Sequence, residues 1–257
     1  MEDNKFPREV SLCLSGGAAK GAFHLGAIHV LEQNNVKIKA ISGTSIGALI
    51  GASLASGKNS VEIFKILKSR EFKKVFKLSI GSGYLFEIDT ESDVIKQLIP
   101  SRTFKELEFP LEVAICDIDS PEILYKNSGD LYEVVLASCA LTPVFKPVKI
   151  NDKLFTDGGV IDNFPVQRLK KYGYPIVGIN LFPNRKNYPT SILGWIKKVF
   201  FVAWQVHNLN KEKECEIFLS CDELHDVSAF TFKDFDKAFD LGVEKMSKLI
   251  KKQHVNS

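Results

Sequence analysis

Two strand–glycine–helix units in immediate succession constrain the fold of this chain more than any other feature. Val10–Leu14 reads as a short buried strand, the pair Gly16-Gly17 breaks it, and Lys20–Asn34 follows with apolar residues at Phe23, Ala27, Val30 and Leu31, a helical spacing. Ile38–Ser42 is a second strand, Gly43–Gly47 a tight turn, and Ala48–Ser56 a helix of small residues. Repeated βα units predict a parallel sheet covered by helices.

The rest of the chain continues the alternation. Ser60–Val75 reads as a basic amphipathic helix, Lys77–Asp89 as a loop containing Gly81 and Gly83, and Glu91–Leu98 as a helix. Leu111–Ile118 is a strand with Glu122–Lys126 pairing nearby; Leu131–Ala140 is helical and stops before Pro143. Lys153–Phe155 is a short strand running into Asp157-Gly158-Gly159. A helix at Pro165–Lys171, a strand at Pro175–Leu181, an apolar helix at Ser191–Asn208, a strand at Glu216–Ser220 and an amphipathic helix at Asp234–Lys251 complete the reading. No stretch has the composition of an interdomain linker, so the expectation is one domain, a sheet between helical layers.

Charge and cysteine usage narrow the classes. The formal net charge is only +3, from 34 basic and 31 acidic side chains, which argues against a nucleic-acid partner. Cys13, Cys116, Cys139, Cys215 and Cys221 form no C-x-x-C pair and sit among apolar neighbours, the pattern of buried free thiols in a reducing compartment. The histidines are scattered, so the expectation is no metal and no cofactor. The charged start of the chain has no apolar core of a signal peptide, and no apolar run is long enough for a transmembrane helix. The expected location is cytoplasmic or peripheral to a membrane, with leaderless export left open.

Gly43-Thr44-Ser45-Ile46-Gly47 matches G-x-S-x-G. A nucleophile elbow turns so sharply from strand to helix that a side chain at either flanking glycine would strike backbone. The serine then stands at a helix start, where positive potential and free N–H groups favour a developing anion. The pentapeptide alone fits a structural turn as well.

Ser15-Gly16-Gly17-Ala18-Ala19-Lys20-Gly21 lies between the first strand and helix. A P-loop would need Ser or Thr after its lysine, whereas Gly21 follows Lys20; the dinucleotide fingerprint fails in register. Adjacent glycines that aim backbone N–H groups at one point suit an oxyanion hole, whose donors can each contribute about 2.7–4 kcal/mol in the transition state.

A serine nucleophile usually takes its base from histidine. His24 and His29 fall within the first helix as surface or core residues, and His225, after the last strand, is the best histidine candidate. The run Asp157-Gly158-Gly159-Val160-Ile161-Asp162-Asn163-Phe164-Pro165 offers a carboxylate instead. Such a group can act as base directly if it reaches the hydroxyl and burial raises its basicity. A plain Asp-Gly turn is the competing reading.

Taken together, Gly16-Gly17-x-x-Lys20-Gly21, Gly43-x-Ser45-x-Gly47 and Asp157-Gly158-Gly159 resemble the patatin-like phospholipase family, in that family's order. Phe23 to Ala27 with Val30-Leu31-Glu32, and Ala137-Ser138-Cys139-Ala140 with Pro143 and Phe145-x-Pro147, fit as well; the likeness runs from about Val10 to Leu181. The resemblance implies one such domain over 7–252, folded as a three-layer α/β/α sandwich with a mostly parallel central sheet. It implies a Ser45–Asp157 dyad that cleaves fatty acyl esters of phospholipids through an acyl-enzyme, without metal. Gly16, Gly17 and Ala18 would form the oxyanion hole, with Lys20 at the family's basic position. Gly21, Gly43, Gly47, Gly158 and Gly159 would support these motifs. Two positions depart from the family: Ala18 stands where a third glycine is common, and Asp162 where asparagine is frequent, adding a charge near the site.

A lipid hydrolase must also reach an interface. Ser191–Trp204 carries Ile192, Leu193, Trp195, Ile196, Val199, Phe200, Phe201 and Trp204 beside Arg185, Lys186, Lys197 and Lys198, which suits peripheral membrane contact, although apolar residues all round a helix also suit burial. Tyr84-Leu85-Phe86 is a second candidate. An acyltransferase with the same acyl-enzyme, and an inactive lipid-binding or scaffold protein, are the alternatives.

Overall fold

The computed structural model describes residues 6–79, 83–89, 92–183, 190–192, 194–195, 202, 209–229 and 231–255. In chain order the elements are β1 (Glu9–Leu14), α1 (Ala22–Gln33), β2 (Lys37–Thr44), α2 (Ile46–Ala55), α3 (Ser60–Lys68), α4 (Arg70–Lys73), β3 (Phe76–Leu78) and β4 (Phe86–Ile88). There follow α5 (Asp93–Leu98), β5 (Leu111–Asp117), β6 (Glu122–Lys126), α6 (Leu131–Cys139), β7 (Val148–Ile150), β8 (Lys153–Asp157), β9 (Ile176–Ile179), β10 (Ile217–Leu219) and α7 (Phe235–Val255), with 3₁₀ segments between.

Side chains alternate across a strand, and β1 uses both of its faces. Val10, Leu12 and Leu14 join the larger hydrophobic core, while Cys13 joins a smaller one with Ala40, Phe164, Val166, Leu169 and Ile176. A strand buried on both sides belongs in the interior of a sheet with cover on each face. β1 accordingly lies between β2 and β9 in an eight-stranded sheet of order β10-β9-β1-β2-β5-β8-β7, with β6 also paired to β5. The strands β10, β9, β1, β2 and β5 run parallel; β6, β7 and β8 join antiparallel. The architecture is thus a mostly parallel central sheet flanked by helices.

Helix α1 is clamped by α7. A Cβ added at Gly26 would lie 2.0 Å from the Phe239 carbonyl oxygen, and one at Gly242 2.3 Å from that of Phe23. The two helices therefore touch backbone to backbone, an approach that any larger residue at either glycine would block.

Several boundaries differ from the sequence expectation. Ser60–Val75 is two helices, because Ser69 takes an extended conformation and its side chain caps α4 at the Phe72 amide. The Lys77–Asp89 stretch contains a hairpin, Phe76 to Leu78 against Phe86 to Ile88, in place of a loop. It is strapped on by hydrogen bonds between Phe86 and the segment Val144–Lys146. The helix expected at Pro165–Lys171 is a 3₁₀ helix, Val166–Tyr172, and β7 has no signal in the sequence because three residues carry almost no periodicity. Cys13 and Cys116 are buried thiols as expected, but Cys139, Cys215 and Cys221 are only half-buried. No helix among the described residues is long and apolar enough to cross a membrane.

Candidate active site

Strand register assembles the site. Leu14 pairs with Gly43, so the loop Ser15–Gly21 leaves the sheet beside Thr44 and Ser45. Thr44 pairs with Ala114 on β5, and Ile115 of β5 pairs with Asp157 on β8. The antiparallel return of β8 brings Asp157 level with Ser45 from the opposite direction.

Ser45 occupies a strained turn. It is the sole residue between β2 and α2 and has φ 56° and ψ −126°, a left-handed conformation that costs a non-glycine residue about 1–3 kcal/mol. A Cβ at Gly43 would fall 2.6 Å from the Gly47 carbonyl carbon, and one at Gly47 would fall 2.2 Å from the Leu14 carbonyl oxygen. The two glycines are thus required by close backbone approach, as the sequence predicts. The turn is held from below by Ser138 of α6. Its hydroxyl accepts the Ser45 N–H at 2.8 Å and donates to the Ala114 carbonyl at 2.7 Å. Beside it, the Thr44 hydroxyl donates to the Asp162 carbonyl at 3.0 Å.

The Asp157 carboxylate accepts the Gly159 N–H at 2.7 Å, and the Ser45 hydroxyl lies near enough to it to act as a second donor. Asp157 is 5% exposed. Burial pushes its carboxyl up to about 6 from an ordinary 3.8, with the two hydrogen bonds pulling the other way. The serine and aspartate singled out in the sequence are therefore in contact. The carboxylate is tuned toward a basicity useful near neutral pH.

The glycine loop closes the third side. Gly16 abuts Ser45, for a Cβ there would sit 3.1 Å from the Ser45 Cβ. Its own amide points at the Asn163 carbonyl at a long 3.4 Å. Gly17 and Ala18 stand at the open start of the 3₁₀ turn Ala18–Gly21, where amides have no partner within a helix. Ala18 has φ 49°, the conformation that favours glycine, so its side chain is carried at a strain. The loop is anchored through Ser15: its hydroxyl accepts the Leu181 N–H at 2.9 Å, and its carbonyl accepts from His24 Nε2 at 2.8 Å. Burial pushes His24 down to about 4, so its ring is neutral and Nε2 carries the proton. His24 is thus a core tether. Lys20 is buried over the Phe182 ring at 5.2 Å, and burial lowers its pKa. Gly21 packs under Ile46, and Gly158 under the Ala114 backbone.

Four contributors escaped the sequence reading. Ser138 belongs to the run Ala137–Ala140, whose sequence gives it no role. Asn163 lies against Gly16 with both its backbone and its side chain. Tyr125 donates to Asp162 Oδ2 at 2.6 Å, and Lys211 to Asp162 Oδ1 at 2.5 Å. Only the charge of Asp162 could have signalled that a cation comes near. His225 lies in a 3₁₀ turn after β10, while the side-chain partner of Ser45 is Asp157. Ser191–Trp204 lies mostly outside the described residues; of its members, Ile192, Trp195 and Val202 are helical and exposed.

Comparison with known proteins places the chain in a family. The model of the family "Patatin-like phospholipase" matches residues 12–170. The uncharacterized protein YqhO of Bacillus subtilis is 29% identical over 252 residues, covering 82% of this chain and 87% of that protein. An uncharacterized NTE family protein of Mycobacterium tuberculosis is 26% identical over 66% of this chain, which spans only 46% of that relative's length. The lysophospholipase nte1 of Aspergillus fumigatus is 29% identical over 66% of this chain and 12% of its own. Among solved structures, VipD from Legionella pneumophila shares the fold with a TM-score of 0.62 at 16% identity, covering 97% of this chain and 68% of VipD. With a matching stretch that begins in β1 and runs past Asp157, the chain belongs to the patatin-like phospholipase family.

Proposed function

We propose that this protein hydrolyses fatty acyl esters of phospholipids or lysophospholipids with Ser45 as nucleophile and Asp157 as base. The observation that carries the reading is the Ser45 hydroxyl, held in a strained turn at the start of α2, set beside the buried Asp157 carboxylate, whose burial raises its basicity. In the proposed cycle Asp157 takes the Ser45 proton as Oγ attacks the ester carbonyl. Amides of the Gly17–Ala18 turn receive the oxyanion, aided by the N-terminus of α2. Collapse of the tetrahedral intermediate expels the alcohol, which leaves with the proton from Asp157. A water that gives its proton to Asp157 then releases the fatty acid and restores Ser45. The long Gly16–Asn163 bond gives Gly16 a competing partner, so Gly17 and Ala18 are assigned the larger share.

The lipid class rests on the family and on relatives named lysophospholipases. Contact with a membrane surface is part of the same reading: Leu78 and Leu85 on the hairpin, and Ile192 and Trp195 beyond β9, are exposed large apolar side chains of the kind that enter an interface. The test is labelling by a fluorophosphonate probe together with fatty acid release from lysophosphatidylcholine. Wild type should label at Ser45 and release fatty acid, and Ser45→Ala should lose both by about 10³-fold or more. Full release by Ser45→Ala would refute the assignment, and an acyl product formed only with an added alcohol would make the protein a transferase.

A further inference from the structure

We infer that Asp162, Lys211 and Tyr125 form a charge clamp that positions Asp157 against Ser45, and that Lys211 is a positioning residue for the acyl transfer. The inference rests on the dyad reading above. Asp162 sits five positions beyond Asp157 in the turn that leaves β8, and every polar group it owns is engaged. Its N–H donates to the Gly158 carbonyl at 2.8 Å, inside the turn itself. Its carbonyl accepts the hydroxyl of Thr44, the residue before Ser45, at 3.0 Å. Oδ1 accepts the Phe164 N–H at 3.0 Å and Lys211 Nζ at 2.5 Å, and Oδ2 accepts the Tyr125 hydroxyl at 2.6 Å. One residue thereby ties the base's turn to the nucleophile's strand.

The ion pair is placed to hold that tie. The Asp162 and Lys211 side chains are 10% and 12% exposed, so the pair is shielded from water and salt. Lys211 is itself seated from its own side. Within its 3₁₀ turn, Glu214 binds Lys170 at 2.9 Å and Gln167 at 3.2 Å on the segment Val166–Tyr172. Tyr125 is fixed under the Arg168 guanidinium, 4.8 Å from its ring. Removing the ammonium leaves a buried carboxylate that must turn toward water. That turn drags the Asp162 backbone, and with it the Thr44 and Gly158 contacts that set Ser45 and Asp157. A displacement of about 1 Å at a reacting pair can cost up to about a hundredfold in rate.

The experiment measures fluorophosphonate labelling of Ser45 in the full chain, separating the maximal rate from the probe concentration at half-maximum, with folded fraction followed by circular dichroism. Wild type should label and Ser45→Ala should not. Lys211→Met should label about ten- to a hundredfold more slowly at saturating probe, with the half-maximal concentration unchanged. Asp162→Asn combined with Lys211→Met removes both charges and should restore most of the rate. A role in stability alone would lower the folded fraction and leave the rate of folded molecules untouched. Wild-type labelling by folded Lys211→Met, or a double variant no faster than the single, overturns the clamp. Should Lys211→Met not fold, Thr44→Val cuts the Asp162 link without touching either charge. A severalfold slower rate then supports the clamp, and an unchanged one overturns it. Absence of Ser45 labelling in wild type would instead refute the dyad, and the clamp with it.

Discussion

Asp157 and Asp162 share one turn and are both buried, yet their surroundings are opposite. Asp157 accepts from a hydroxyl and one amide, and burial lifts its pKa to about 6. Asp162 accepts from an ammonium, a phenol and an amide. A carboxylate left short of cations remains available to take a proton, and one saturated with donors becomes a fastener. The difference teaches that the chemistry of this turn lies in what reaches each carboxylate, since the backbone delivers both alike.

The comparison can be broken by replacing each member. The largest effect is expected for Asp157→Asn, which should lower fatty acid release by about 10³-fold. Wild-type kcat/KM should rise with pH through about 6 as Asp157 loses its proton. A profile flat between pH 5 and 7 would remove Asp157 as base. At Asp162 the outcome inverts: Asp162→Ala strands Lys211, Tyr125 and the Phe164 amide, and should lose about 3–5 kcal/mol in urea denaturation. Asp157→Asn should be more stable than wild type above pH 7, by about 1–3 kcal/mol. The sign follows from the raised native pKa: the fold favours the protonated acid, so wild-type stability is complete below about 3.8 and falls as pH rises through about 6. The advantage of the asparagine should therefore vanish near pH 4. Destabilisation by Asp157→Asn at pH 8 would contradict the contrast. Ser138→Ala should cost about 1–3 kcal/mol by leaving the Ser45 amide and the Ala114 carbonyl without their partner. Its kcat should fall while KM holds.

How far the sequence was legible follows the same division. Local chemistry was readable: Gly43 and Gly47 had to be glycine because a Cβ at either would clash with backbone, and G-x-S-x-G carries that constraint in five letters. The parallel core of β1 and β2 was readable from two βα units, and the short strand into Asp157 from its position before two glycines. What was hidden depends on distant partners. Nothing near Lys211 announces that it meets Asp162, and nothing near Ser138 that it holds the Ser45 amide, because such pairings are set by how α6 and the 3₁₀ turns dock. The hairpin at Phe76–Ile88 reads as a loop in sequence because each strand has three residues and glycine lies between them. At Ala18 the departure from glycine was legible, but only its φ of 49° shows that the backbone still adopts the glycine conformation.

The backbone contacts of Gly26 with Phe239 and of Gly242 with Phe23 have a consequence for the order of events during synthesis. The loop that carries Gly16 to Ala18 runs straight into α1, and Ala19 is tied at its amide to the Ala229 carbonyl at 3.0 Å. Both α1 and the loop are therefore finished by residues made long after them. Contacts between such remote positions close late, since loop entropy must be overcome first. A nascent chain that has emerged only through Asp157 holds serine and aspartate but not the helix that seals the first turn of the site. The proposed site is thus left without its full support in the growing polypeptide until α7 has left the ribosome.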